Sequence, residues 1–374
     1  MRKRLWQLHS WLGLFAGLGL IVIALSGSVL VFHKELARVF VREKTVVEPG
    51  AAGRLPMDQL LARAEQAMPE YEIAGWLLRD DGETLADSVY VIRRGTNVWQ
   101  TTTVDQYTGR LLGPPQDFDE TLYGWLIELH YTLLAGDIGL AVAGLLAVAL
   151  CVLGVSGVIL YRNFWRNLFT LRWGRGARIL FSDTHKFVGI VSTAFNLLLG
   201  FTGAYWNITH TMAHVTGAEQ EQAVIDKRLY PDTLSLDAIV ADASGRLPGF
   251  RPHFISLPTM PEAPAVILWG AVEPRPTLRN AYGTTLSYDP KTGAHQGTDD
   301  IREAGLWRRT TDTFESLHFG DFGGLFVKVL WSVLGLSPGV LGVSGFCLWR
   351  LRRRATNRKP QVAPVSAAEP VHTP

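Results

Sequence analysis

The chain has 374 residues, a formal net charge of +2 at pH 7, two cysteines and 47% hydrophobic residues. This near-neutral balance gives no basic surplus for a nucleic-acid partner, and Cys151 and Cys347 alone allow neither a disulfide framework nor a C-x-x-C-H haem attachment. The averages would suit two ordinary soluble domains, but the distribution along the chain does not.

Four runs lack any formal charge: Trp11–Phe32 (22 residues), Ile138–Tyr161 (24), Phe187–Thr209 (23) and Val329–Trp349 (21). Crossing a ~30 Å hydrocarbon core takes roughly 20 helical residues, so each run predicts a transmembrane helix. The first run follows Arg2, Lys3 and Arg4 and ends in Ala24-Leu25-Ser26-Gly27-Ser28. It resembles a signal peptide but is too long for one, which predicts an uncleaved signal-anchor. Arg162, Arg166, Arg172, Arg175 and Arg178 fill the connection between runs two and three, and Arg350, Arg352, Arg353, Arg354, Arg358 and Lys359 follow run four. These segments and the N-terminus share one side, and the positive-inside rule makes that side the cytoplasm.

The expected organisation follows in chain order. A first transmembrane helix (1–33) leads into an outer domain (34–120). A lead-in segment and second helix (121–162) precede a basic cytoplasmic loop (163–180) and the third helix (181–209). A second outer domain (210–312) is followed by a lead-in segment and fourth helix (313–350), then a basic, Pro- and Ala-rich tail expected to be disordered (351–374).

The sequence repeats itself. At an offset of 188, Leu129-His130 matches Leu317-His318, and Val152–Gly157 matches Val340–Gly345. At an offset of 176, His9 matches His185, and Ser26-Gly27 matches Thr202-Gly203. Met57-Asp58 through Pro69 parallels Leu236-Asp237 through Pro248, each read as a short amphipathic helix. Asp105-Gln106-Tyr107-Thr108-Gly109 parallels Asp289-Pro290-Lys291-Thr292-Gly293, each a turn between strands. The expected fold is thus an α-helical membrane protein with four transmembrane helices in two tandem repeats, each carrying an outer α+β domain. Both halves enter the membrane in the same sense, a parallel repeat.

Ten histidines are present. A histidine at a helix end is ordinarily an interfacial polar residue, and small-residue stripes pack helices without any cofactor. Placement favours more than this. His9 and His185 lie at the cytoplasmic ends of helices one and three, and His130 and His318 at the outer ends of helices two and four. A haem iron held by two imidazoles needs two facing histidines at one depth, and the repeat supplies two such pairs. His130 lies eight residues before Ile138, about 12 Å on a straight helix, which puts it near or beyond the hydrocarbon edge unless Gly136-Asp137 and Gly323-Gly324 bend the chain. His33 is the substitute ligand in that case. His210 and His214 form an i, i+4 pair that could hold a bare metal ion, a weak signal without the Glu of H-E-x-x-H.

The chain resembles the PepSY-associated transmembrane family of bacterial inner-membrane proteins. The resemblance rests on Leu8-His9-Ser10-Trp11-Leu12-Gly13, on Leu129-His130, on the V-S-G-x-x-L-[YW]-R endings at Val155–Arg162 and Val343–Arg350, and on the two D-x-x-T-G turns typical of PepSY domains. It covers nearly the whole chain except the tail. Several members are FoxB- and FpvG-like siderophore-iron reductases with b-type haem, which implies a ferric-siderophore reductase, an oxidoreductase, with two haem b groups and periplasmic outer domains.

No G-x-G-x-x-G between strand and helix and no Walker loop occurs, so the electron donor is expected to be a quinol, a partner reductase or a soluble reductant. The expected function is electron transfer across the inner membrane to a periplasmic ferric-siderophore. The alternatives are a membrane-anchored PepSY module that binds a peptide or protein without redox activity, and a small iron or chelate permease. The lack of acidic residues in the apolar runs speaks against cation-coupled transport.

Overall fold

The computed structural model describes residues 2–79, 84–166, 172, 174–217, 223–262 and 264–357. Part of the basic connection (167–171 and 173) and the tail from 358 lie outside them. The chain opens with α1 (Arg2–Leu30), then α2 (His33–Phe40), α3 (Arg42–Thr45), α4 (Met57–Ala67) and strands β1 (Tyr71–Leu77), β2 (Asp87–Arg93), β3 (Trp99–Val104) and β4 (Gln116–Asp117). Helix α5 (Leu122–Tyr131) leads to α6 (Gly136–Leu160), and α7 (Ala177–Thr216) returns. A comparable series follows: α8 (Leu236–Arg246), β5 (Phe250–Ser256), β6 (Val266–Val272), β7 (Thr284–Tyr288), β8 (His295–Asp299), α9 (Leu306–Thr311), α10 (Phe314–Phe319), α11 (Gly324–Gly335) and α12 (Ser337–Asn357).

Among the described residues, four spans are long and apolar enough to cross a membrane: α1, α6, α7 and Gly324–Arg354, formed by α11 and α12. They pack as a ring in which α1 touches α6, α6 touches α7, α7 touches α12 and α12 closes on α1. Helices α1 and α7 therefore stand diagonally across the bundle. Large apolar side chains such as Phe15, Leu18, Ile138 and Phe326 point outward and are exposed, as a lipid-facing surface requires. The third helix is longer than its apolar run. It continues to Thr216, so His210 and His214 lie on it and not in the domain that follows.

The two long segments between spans do not form separate sheets. Their strands make one antiparallel eight-stranded sheet in the order β4-β3-β2-β1-β5-β6-β7-β8. The halves join at β1 and β5, where Trp76 pairs with Ile255. Each of these strands carries an irregularity, at Ile73/Gly75 and at Pro252/Phe254, which shifts the alternation of faces. As a result Ile73, Trp76, Phe250 and Ile255 all join the buried core that α4 and α8 complete on one side of the sheet.

Helices α4 and α8 cap each other. The Asp237 carboxylate accepts from the backbone N–H groups of Met57 and Asp58 at 2.9 and 3.0 Å. The Asp58 carboxylate accepts from those of Leu236 and Asp237 at 2.6 and 3.3 Å. Each helix thus has its free N-terminal donors satisfied by the other's acidic residue. The two predicted D-x-x-T-G turns close as expected. Asp105 accepts from Tyr107 N and Asp289 from Thr292 N, while Gly109 and Gly293 both adopt φ +69°, a conformation that favours glycine.

Candidate functional site

Both histidine pairs meet. The ring centres of His9 on α1 and His185 on α7 are 6.4 Å apart, with planes at 85°. Those of His130 on α5 and His318 on α10 are 6.2 Å apart, with planes at 70°. The first pair meets because α1 and α7 face each other across the ring. The second pair requires a sharp turn. After Tyr131 the backbone reverses through Leu133 and Leu134, both at positive φ (52° and 58°), and Gly136 at +53°. Helix α5 is thereby separated from α6 and lies against α1, which places the His130 ring beside Ile23 and Ser26. Gly320 and Gly324, at φ +69° and +62°, make the corresponding break after α10. His130 therefore sits within the length of α1, not outside the span as a straight helix would demand.

Every one of these imidazoles is held by a hydroxyl–glycine dipeptide on a neighbouring helix. His9 Nδ1 lies 2.8 Å from Ser156 Oγ, and His185 Nδ1 lies 2.9 Å from Ser344 Oγ. His318 Nδ1 lies 2.7 Å from Thr202 Oγ1. His130 Nδ1 lies 3.0 Å from the Ile23 carbonyl and 3.2 Å from Ser26 Oγ. The following glycines, Gly157, Gly345, Gly203 and Gly27, each lie against the Cε1 edge of the same ring. At Gly27 the approach is closest, since a Cβ there would stand 2.6 Å from His130 Cε1.

The hydrogen bonds constrain the tautomer. Ser156, Ser344, Ser26 and Thr202 also each reach a carbonyl one turn back on their own helix, those of Leu153, Leu341, Val22 and Leu198, to which a hydroxyl can only donate. A hydroxyl that donates there accepts from its histidine, and the Ile23 carbonyl can only accept from His130. This assignment puts the proton on Nδ1 and leaves Nε2 with a lone pair. This is the form in which histidine ligates metals, with the other nitrogen oriented by a second partner.

The spacing suits a metal between the rings. Two imidazoles bonded to one metal from opposite sides have ring centres about 6.3 Å apart, taking metal–nitrogen bonds of about 2.0 Å. A two-histidine set leaves the other coordination positions to a group that brings its own nitrogens, as a porphyrin does. Among the described residues no cluster of three or more His, Cys, Asp or Glu side chains is arranged to hold a bare ion. Between His9 and His185 lies a cavity of about 310 Å³ whose walls include Gly13, Gly17, Gly189 and Gly342. At these positions no side chain projects into the cavity. Ser26 follows His9 by 17 residues and Thr202 follows His185 by 17. At ~1.5 Å per residue the two histidine levels are therefore separated by about 26 Å along the bundle.

The other candidate histidines go elsewhere. His33 Nδ1 lies 3.0 Å from the Leu30 carbonyl, and its ring packs on Tyr123 with centres 5.0 Å apart. It lines a separate cavity beneath the sheet. His210 hydrogen-bonds Tyr131 through Nδ1, and His214 Nε2 lies 3.7 Å from the Asp137 carboxylate. These two rings thus have different partners.

Sequence reasoning found the histidines and missed their hydroxyl partners. Ser156-Gly157, Ser344-Gly345, Ser26-Gly27 and Thr202-Gly203 were visible as matched dipeptides in the repeat alignment. One [ST]-G dipeptide for each paired histidine was the available signal.

Comparison with known proteins agrees with the architecture. The sequence profile of the PepSY-associated TM region matches residues 6–352. An uncharacterized protein of Pseudomonas aeruginosa is 28% identical over 253 residues, which cover 62% of this chain and 64% of that protein's length. With nearly its whole length matched, the chain belongs to the PepSY-associated transmembrane family.

Proposed function

We propose that this member of the PepSY-associated transmembrane family carries electrons across the bacterial inner membrane and reduces the iron of a ferric-siderophore on the periplasmic side. The observation that supports this most strongly is the double pair of facing histidines at two depths of one bundle, each with Nδ1 against a hydroxyl of a neighbouring helix. Haem b bound at both levels would supply one-electron carriers near each face of the membrane.

The chain's own residues perform three tasks in this reading. His9, His185, His130 and His318 ligate through Nε2. Ser156, Ser344, Ser26, Thr202 and the Ile23 carbonyl orient the rings and raise their basicity. Apolar side chains of the ring exclude water between the levels, which favours electron over ion movement. The basic ends of the spans support an orientation with the His9–His185 level on the cytoplasmic side, where a quinol or a reductase would donate, and the sheet in the periplasm. Release of iron follows from reduction, because the lower charge of Fe(II) weakens its bonds to hard oxygen ligands. The tandem-repeat reading explains the design, since one copy would supply only one histidine to each level.

The test uses proteoliposomes loaded with a membrane-impermeant reductant and supplied with external ferric chelate and a ferrous-iron indicator. Colour formation that needs the protein and is lost in His9→Ala supports electron transfer. Chelate uptake without ferrous iron outside would favour a permease, and inertness of the loaded protein would favour a binding module.

A further inference from the structure

The second histidine pair stands on short helices and not on the spans. Helix α5 has 10 residues and α10 has 6, and helices so short have little stability of their own. Their height and rotation must come from contacts with the bundle. Each receives a side-chain donor at its C-terminal end, where backbone carbonyls lack partners within the helix. For α5 the donor is Asn207, buried on α7. Its Nδ2 lies 3.1 Å from the carbonyl of Tyr131, the residue after His130, and 3.0 Å from the Leu140 carbonyl on α6. Both partners are carbonyls, so only the nitrogen end of the amide can face them, and both its protons are used. His210 and His214 follow on the same face of α7. His210 hydrogen-bonds the Tyr131 hydroxyl, and His214 Nε2 lies 3.7 Å from the Asp137 carboxylate. The three side chains thus stand against both ends of the reversal between α5 and α6, which gives the His210–His214 spacing a role that needs no metal.

For α10 the donor is Trp331 on α11. Its Nε1 lies 2.7 Å from the carbonyl of Leu317, the residue before His318. The indole packs edge-on against Phe195 and Phe322, with ring centres 5.3 and 5.0 Å away. It also lies over Gly320, where a Cβ would stand 2.5 Å from Trp331 Cγ. Neither donor belongs to the repeat. At the offsets of 176 and 188, the positions matching Asn207 and Trp331 are held by Val31 and Ala143, whose side chains have no donor. The repeat therefore accounts for the two histidines but not for what holds their helices, and each half has a different tether.

We propose that Asn207 and Trp331 are positioning residues for the outer histidine pair, Asn207 setting His130 through the Tyr131 carbonyl and Trp331 setting His318 through the Leu317 carbonyl. The proposal rests on the electron-transfer reading only for what the pair holds. His130 has to keep both the Ile23 carbonyl and the Ser26 hydroxyl within reach of Nδ1, and an α5 freed at its end loses that fit. His9 and His185 stand on α1 and α7 themselves, so the two tethers act on one level only.

The experiment compares the purified full-length wild type with Asn207→Leu, Trp331→Phe and His210→Ala, none of which replaces a histidine of either pair. Hydrogen exchange read by mass spectrometry reports each short helix, and redox titration reports each level. Asn207→Leu should speed exchange in 122–135 about tenfold and leave 314–320 at the wild-type rate, and Trp331→Phe should do the reverse. His210→Ala, at an exposed position, should speed 122–135 by a smaller factor. In both buried variants the midpoint potential of the outer level should move and its haem should dissociate about tenfold faster, while the inner level keeps its potential. A residue that only stabilised the bundle would shift both segments and both levels together, and that result overturns the proposal. Wild-type exchange in both segments, or segment-specific exchange with an unmoved outer level, also overturns it. Should Asn207→Leu fail to fold, wild-type exchange of 122–135 in His210→Ala overturns the α5 tether. Colourless protein that shows the segment-specific exchange would keep the tethers and remove the electron path, so the two failures are distinguishable.

Discussion

His318 Nδ1 lies 2.7 Å from Thr202 Oγ1, and the Thr202 hydroxyl is also within donating distance of the Leu198 carbonyl of its own helix. With that hydroxyl donating to Leu198, the imidazole donates from Nδ1 and presents a lone pair at Nε2. Ser156, Ser344 and Ser26 repeat this arrangement for the other three rings.

Removing a hydroxyl should therefore act through the ring and not through the fold. Ser344→Ala takes from His185 Nδ1 its hydroxyl partner at 2.9 Å. Loss of such an outer partner typically costs 10–100-fold in metal affinity, and that loss is expected for haem at the first level. A less basic imidazole favours the ferric state less, so the midpoint potential of that level should rise. A redox titration with haem-loss kinetics measures both. Ser344→Thr, which keeps the acceptor, should restore them.

The glycines at the two ends of the second pair are not equivalent. A Cβ at position 27 would meet His130 Cε1 at 2.6 Å, while one at 203 would meet His318 Cε1 at 3.6 Å, an ordinary contact. Gly27→Ala should displace the His130 ring and lose the haem of that level, whereas Gly203→Ala should retain it. Equal spectra for the two variants would show that the close approach has no consequence.

Asp58 and Asp237 exchange N-terminal caps between α4 and α8. Asp58→Ala removes the acceptors of Leu236 N and the Ser235 hydroxyl together. A cost of about 1–2 kcal/mol is expected, typical of lost N-caps, with the same range for Asp237→Ala. Thermal unfolding followed by circular dichroism reads it, and the haem spectrum should not change.

His33 gives the extramembrane part a pH dependence. Burial, with the charges of Lys34, Lys328 and Arg79, lowers its pKa from 6.5 to about 4. The unfolded chain binds a proton at this ring near pH 6.5 and the folded chain does not until about 4. Stability is therefore complete above about 6.5, falls as the pH drops towards 4, and is flat below. The full loss is on the order of 3 kcal/mol. Melting curves between pH 7 and 4 should be flatter for His33→Gln than for the wild type.

Much of this was legible in the chain. The four spans follow from charge-free length alone, and the paired histidines from the offsets of 176 and 188. The end of α7 was not, because the apolar run closes at Thr209, before His210, while the helix continues to Thr216. The join of β1 to β5 was not either. Trp76 and Ile255 are 179 residues apart and no local period encodes their pairing. The irregularities beside Ala74 and His253 further hide which residues face the core. His33 attracted attention because a straight helix would leave His130 too far out, and the reversal through Leu133 and Leu134 removes that difficulty.

The most direct test is the reduced-minus-oxidised visible spectrum of the detergent-purified protein and four single variants, with haem content measured per chain. Two low-spin b-type haems per chain are expected. His9→Ala and His185→Ala should each lose the same one, His130→Ala and His318→Ala the other, and His33→Ala neither. Colourless wild-type protein from haem-replete cells, or a variant set in which His33→Ala removes a haem and His130→Ala does not, would contradict the paired-histidine sites.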